Sequence, residues 1–141
     1  MIYADTSVVA AYYLPEALSG RVQSIFGEHD EVFISELVEV EFMAAVSLRL
    51  RLGDITPDEA RQATDLFTAH ADGGLYGKVR LAAGHYRTAR DYIGRFDAPL
   101  KSPDALHIAA ASQRRLPLVA ADRQLVRNAE AFGVEAELIE A

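Results

Sequence analysis

Short apolar runs alternate with longer helical patterns along this chain, and that alternation confines it to few architectures. "MIYA" reads as a strand, and "SVVAAYYL" after it as the start of a helix that breaks at Pro15. "PEALSGRVQSIFGEH" sets Leu18, Val22, Ile25 and Phe26 at helical spacing, and "EVFIS" is a second strand. "ELVEVEFMAAVSLRLRLG" predicts a long helix ending at Gly53. "ITPDEARQATDLFTAHA" opens on Thr56 as cap, Pro57 in the first turn and Glu59 closing a capping box. The glycine-rich "DGGLYGKVRL" predicts a loop with room for a short strand near Val79, and "AAGHYRTARDYIGRF" a helix. "SPDALHIAAASQRR" carries full helix signals, with Ser102 as cap, Pro103 starting it and arginines closing it. "LPLVAA" is a strand, "DRQLVRNAEAFG" a short helix ending at Gly133, and "VEAELI" a last strand. The order predicts one α/β domain over residues 1–141, a central parallel sheet flanked by helices on both faces.

Two of these strands run into an acid: "IYADTS" reaches Asp5, and "LPLVAAD" reaches Asp122. Ligands of parallel α/β sheets bind beyond the carboxyl ends of the strands. Neighbouring strands lie about 4.8 Å apart, so adjacency of these two would bring both carboxylates together. Asp104, opening a helix, is able to face the same end. Glu41 shares a helical stripe with Leu37, Val40, Ala44 and Leu48, so it interrupts an apolar face. Glu39 points the other way, towards Val46 and Leu50. Each aspartate also fits a helix cap or first-turn role. Glu41 has no such role, and burying it unpaired would be costly.

Clustered carboxylates repel one another, which either keeps some protonated or recruits a divalent cation. Oxygen ligands without cysteine, and without a convincing histidine pair, suit Mg²⁺ or Mn²⁺ rather than Zn²⁺. Such an ion supplies hydroxide and stabilises the leaving oxygen of a cleaved phosphodiester. The formal charge is −7, from 21 acids against 14 bases, which argues against nucleic-acid binding by bulk charge alone. Cysteine is absent, which fits a reducing compartment. No segment resembles a signal peptide or a membrane span, so the expected location is cytoplasmic.

"IYADTSVVAAYYLPE", "ISELVEVEFMAAV", "SPDALHIAAA" and "LPLVAADRQL", in that order, resemble the PIN-domain ribonucleases, and most of all the VapC toxins of type II toxin–antitoxin pairs. The similarity runs from Met1 to about residue 135. It implies a metal-dependent endoribonuclease using Mg²⁺ or Mn²⁺, a homodimer, an RNA substrate and a VapB-like antitoxin that inhibits it. It places the acidic, metal-holding site on Asp5, Glu41, Asp104 and Asp122, with Thr6 and Ser7 in support. Glu41 is preferred to Glu39 because the family's acid directly precedes an apolar residue in an "E-F-x-x-A"-like step. Two positions depart from the family pattern. Ala120 stands where the family usually has Thr or Ser, and Pro103 precedes Asp104.

Other readings are narrower. His107, one turn after Asp104, is expected to pack or bond locally rather than ligate. His29, His70 and His85 read as surface or loop residues. Arg49, Arg51, Arg114, Arg115, Arg123 and Arg127 suit either an RNA path or solvated surface, and of the adjacent Tyr12 and Tyr13 at least one suits core or dimer packing. A catalytically weak PIN module acting through protein binding is the alternative, motivated by an outer apolar face of the 36–52 helix with Phe42, Val46 and Leu50. A haloacid-dehalogenase-like phosphatase would need a second aspartate where Ser7 stands.

Overall fold

The computed structural model describes residues Met1–Ala141. The elements are β1 (Ile2–Ala4), α1 (Thr6–Tyr13), α2 (Ser19–Glu28), β2 (Val32–Ser35), α3 (Glu36–Arg51), α4 (Pro57–Asp72), β3 (Gly77–Val79), α5 (Ala83–Gly94), α6 (Ser102–Gln113), β4 (Leu118–Ala120), α7 (Arg123–Ala131) and β5 (Ala136–Leu138). All strand pairs are parallel, in the order β3-β2-β1-β4-β5. Successive connections therefore first run outward from β1 through β2 to β3, then return past β1 to β4 and β5. Right-handed crossovers put the first group of helices on one face of the sheet and the later ones on the other. Accordingly α1 packs on α2, α3 and α4, while α5 packs along α6 and its Tyr92 stacks on Phe132 beyond α7. Covered on both sides, β1, β2 and β4 are buried throughout, so they read as continuous apolar runs rather than alternating ones.

Local signals act as expected in most places. Thr56 and Glu59 form the reciprocal capping box of α4. Gly133 takes φ +80 just after α7, a conformation that costs glycine little. At α6 the boundary shifts by one residue: Lys101 is the cap, and Ser102 is the first helical residue with no capping bond.

Three expectations are corrected. The stripe of α3 with Val40, Ala44 and Leu48 faces solvent, and Val38, Phe42 and Val46 face the core. Phe42 and Val46 are thus no outer face; the exposed apolar residues of α3 are Val40, Met43, Leu48 and Leu50. Both sides of α3 are apolar, so periodicity alone did not say which one meets the neighbouring helices. Glu39 pairs with Lys78 of β3 at 3.1 Å. His85 is buried, its Nδ1 accepting from the Ala82 amide at 3.0 Å. His70 is half-buried and bonded through Nδ1 to Tyr13, whose hydroxyl also meets Tyr76 at 2.6 Å. Tyr13 is therefore a core residue, and Tyr12 stacks on Phe26.

Gly77 opens β3 where a methyl group would lie 2.6 Å from the Phe33 ring. The Arg114 guanidinium also sits against that ring, 5.3 Å from its centroid, which limits its room to shift. Gly77→Ala is expected to lower stability by about 1–3 kcal/mol through overpacking, read as a shift in the urea midpoint with unchanged slope.

Candidate active site

The strand order reverses between β1 and β4, and a crevice opens beyond the carboxyl ends of such a pair. Tyr3 lies level with Leu118 and Ala4 with Val119, and the Asp5 amide extends the ladder onto the Val119 carbonyl at 3.1 Å. Asp5 leaves β1 at this point. Asp122 follows β4 by two residues, Asp104 stands in the first turn of α6, and Glu41 projects from α3. The topology thus brings the four acids to one end of the sheet, Asp5 buried, Glu41 and Asp104 half-buried, and Asp122 exposed.

Hydroxyls and amides organise the cluster. Asp5 caps α1: its Oδ1 accepts from the Val8 amide at 3.3 Å and from the Ser7 hydroxyl at 2.7 Å. Ser7 Oγ in turn accepts from the Ala121 amide at 3.0 Å, which ties the turn after β1 to the turn after β4. Ala120, the last residue of β4, is fully buried. Asp122 caps α7 through the Gln124 and Leu125 amides. Capping and membership of the acidic cluster are therefore combined in the same side chains at Asp5 and Asp122.

Glu41 is not an unpaired acid on a buried face. Its Oε1 accepts from Thr6 Oγ1 at 2.7 Å and from His107 Nε2 at 2.6 Å. On the far side of the ring His107 Nδ1 is hydrogen-bonded to the Tyr3 hydroxyl at 2.8 Å, and the Tyr3 oxygen meets Ser35 Oγ at 2.8 Å. His107 bonds across the fold rather than within its own helix. Tyr3 and Ser35 were not among the residues singled out in the sequence. The available signal was the spacing of His107 from Asp104, one helical turn, which puts both on one face of α6. Nothing in the sequence tied His107 to Glu41, 66 positions away.

The electrostatics follow from burial and crowding. Desolvation raises Asp5 to about 6, against the field of His107 and the bonds from Ser7 and Val8. Burial also raises Asp104, and the charge of Asp122 adds to the rise. Burial acts upward on Glu41 too, but the His107 bond and field together with Thr6 outweigh it and hold the group below its ordinary range. No lysine or arginine forms an ion pair with any of the four acids, and Arg123, beside Asp122, turns to Glu140 at 2.8 Å. The hydrogen bonds to Glu41 fall on Oε1 and those to Asp122 on Oδ1, and Asp104 accepts none. Such an oxygen set suits a hard divalent cation. No three His, Asp or Glu side chains enclose an ion position as they stand, so the fit rests on charge and donor chemistry rather than on closed ligand geometry.

A parallel sheet with acids at its switch point defines the class of this α/β domain, and comparison gives the family. The PIN domain profile matches residues 2–131, and the chain belongs to the PIN-domain family. Among solved structures it is similar to Mycobacterium tuberculosis VapC20, a sarcin-ricin-loop-cleaving toxin, at 20% identity and TM-score 0.72 over 95% of this chain and 96% of that one. It is also similar to VapBC2 of Rickettsia felis, bound to a promoter DNA fragment, at 14% identity and TM-score 0.70, covering 99% and 100%. FitAcB of Neisseria gonorrhoeae matches at 18% identity and TM-score 0.66 over 96% of each chain. At these identities the likeness is one of fold. No curated protein matches the sequence.

In metal-free protein the raised Asp5 carries a pH signature. Between about pH 4 and 6 the folded state keeps a proton that the unfolded chain has released, so stability falls as pH rises through this window. Asp104 acts with the same sign; Glu41, held low, acts oppositely and loses its contribution in acid. The Asp5 effect is at most about 3 kcal/mol. Denaturation in chelator across this range is expected to show the decline, and Asp5→Asn to flatten it.

Proposed function

We propose that this protein is a metal-dependent endoribonuclease, the toxin of a toxin–antitoxin pair, that hydrolyses RNA phosphodiesters. The observation that carries this reading is the set of four acids at one sheet end, none of them in an ion pair with a lysine or arginine. Asp5, Asp104 and Asp122 would hold Mg²⁺ or Mn²⁺, and Glu41 would contribute directly or through water. Bound there, the cation supplies Lewis-acid stabilisation of the phosphodiester and an acidified water. Ser7 orients the Asp5 carboxylate and Thr6 that of Glu41. Toxin–antitoxin complexes among the solved structures of this fold support a VapB-like partner. A groove of about 380 Å³ between α3 and α4, with Met43, Val46 and Leu50 beside Arg61, Thr64 and Asp65, offers such a partner a mixed apolar and polar seat. The reading includes a homodimer, for which Val40 and Tyr86 are exposed apolar contacts on the surface. No helix is long and apolar enough to cross a membrane, in keeping with action in the cytoplasm.

A second reading, a catalytically weak module acting through protein binding, is favoured by Ala120, which puts no hydroxyl at the end of β4. The two separate on cleavage of total RNA by purified, antitoxin-free protein in Mg²⁺, Mn²⁺ and chelator. The expected outcome is discrete fragments that require metal. Asp5→Asn and Asp104→Asn should each lose at least about 100-fold in rate, the upper end of what loss of a supporting contact alone costs, with unchanged circular dichroism. Full activity in both variants overturns the site. Folded wild type that leaves RNA intact favours the binding module.

A further inference from the structure

One buried chain of side chains backs a single one of the four acids, Glu41. It runs from Ser35 at the end of β2 through Tyr3 of β1 and His107 of α6 to Glu41 of α3. Ser35, Tyr3 and His107 are at most 2% exposed. Ser35 stands at the cap of α3 yet makes no capping bond, and its hydroxyl is committed to Tyr3 instead. Such a polar chain is costly to bury unless each member is satisfied, and here each one is. Only its last member, Glu41, reaches solvent, with a side chain 31% exposed.

We propose that His107 and Tyr3 are positioning residues for Glu41, fixing its Oε1 so that Oε2 is presented to the cation of the acidic site. This rests on the metal-dependent reading above. A glutamate has three rotatable bonds, and on a half-exposed helix position it would otherwise sample solvent. Two donors on the same oxygen, Thr6 at 2.7 Å and His107 at 2.6 Å, leave the second oxygen as the open one. His107 does not itself reach substrate: its side chain is 3% exposed and both ring nitrogens are engaged. Tyr3 acts one step further back, by orienting the imidazole through Nδ1. Partners that orient a metal-holding side chain in this way typically change metal affinity by about 10–100-fold when lost.

The test is Mn²⁺ binding to the full-length protein by calorimetry, without RNA, for wild type, His107→Leu, His107→Gln, Tyr3→Phe, Glu41→Gln and the His107→Leu/Glu41→Gln pair. His107→Leu is expected to weaken binding about tenfold. His107→Gln, which keeps an N–H donor for Glu41, should recover most of that loss, and Tyr3→Phe should fall between. In the Glu41→Gln background His107→Leu should add nothing, because its effect passes through Glu41. A general packing role would instead add its cost in both backgrounds, and that result overturns the proposal. So does wild-type affinity in folded His107→Leu; if that variant does not fold, wild-type affinity in Tyr3→Phe decides against it equally. Wild type that binds no Mn²⁺ overturns the metal reading and this inference together, whereas binding that the variants leave unchanged overturns this inference alone.

Discussion

The structure turns on a carboxylate held out of water. Asp5 follows the central strand directly, where helices on both sides leave it no exposure to speak of, and burial of an acid disfavours its charged form. The fold supports it by using the same side chain as the cap of α1 and by placing Ser7 against it. Because Ser7 also takes the Ala121 amide, the geometry of the turn after β1 and of the turn after β4 is set together. The position of Asp122 is thereby coupled to that of Asp5 without any direct contact between the two acids.

Around this centre, the acids differ in what restrains them. Asp5 and Asp122 are fixed by backbone amides, a local arrangement in which a helix cap also serves the cluster. Asp104 accepts no hydrogen bond and is raised by burial and by Asp122. Glu41 is held by partners from two other helices and, behind one of them, by two strands. Asp122 is exposed and Glu41 and Asp104 are half-buried, while Ser35, Tyr3 and His107 behind Glu41 are buried. Hydrogen bonds thus fix Asp5, Glu41 and Asp122 from the protein side, whereas Asp104 is held by none.

Some of this was legible in the chain. The strand ends at Asp5 and Asp122, the capping box at Thr56 and Glu59, and the helix opening near Asp104 are written in neighbouring residues, because caps and strand ends are decided within a turn of the backbone. The parallel order followed from the alternation of elements. What stayed hidden was orientation. An apolar pattern on both sides of α3 left open which side faces the core, and the side that carries Val40 and Leu48 lies in solvent. Glu41 therefore sits at a boundary, and the reason it matters is its partners rather than its stripe.

The sequence by itself determined the elements, their order, and the presence of acids where strands give way to helices, since those depend on periodicity and local turn chemistry. Only the tertiary structure decided that Tyr3, Ser35, His107 and Glu41 form one hydrogen-bonded chain, that His85 is buried, and that Ser7 bridges two turns. These contacts join residues 32 to 114 positions apart. Their partners are chosen by how the crossovers stack helices on the sheet, and no local pattern of residues encodes that choice.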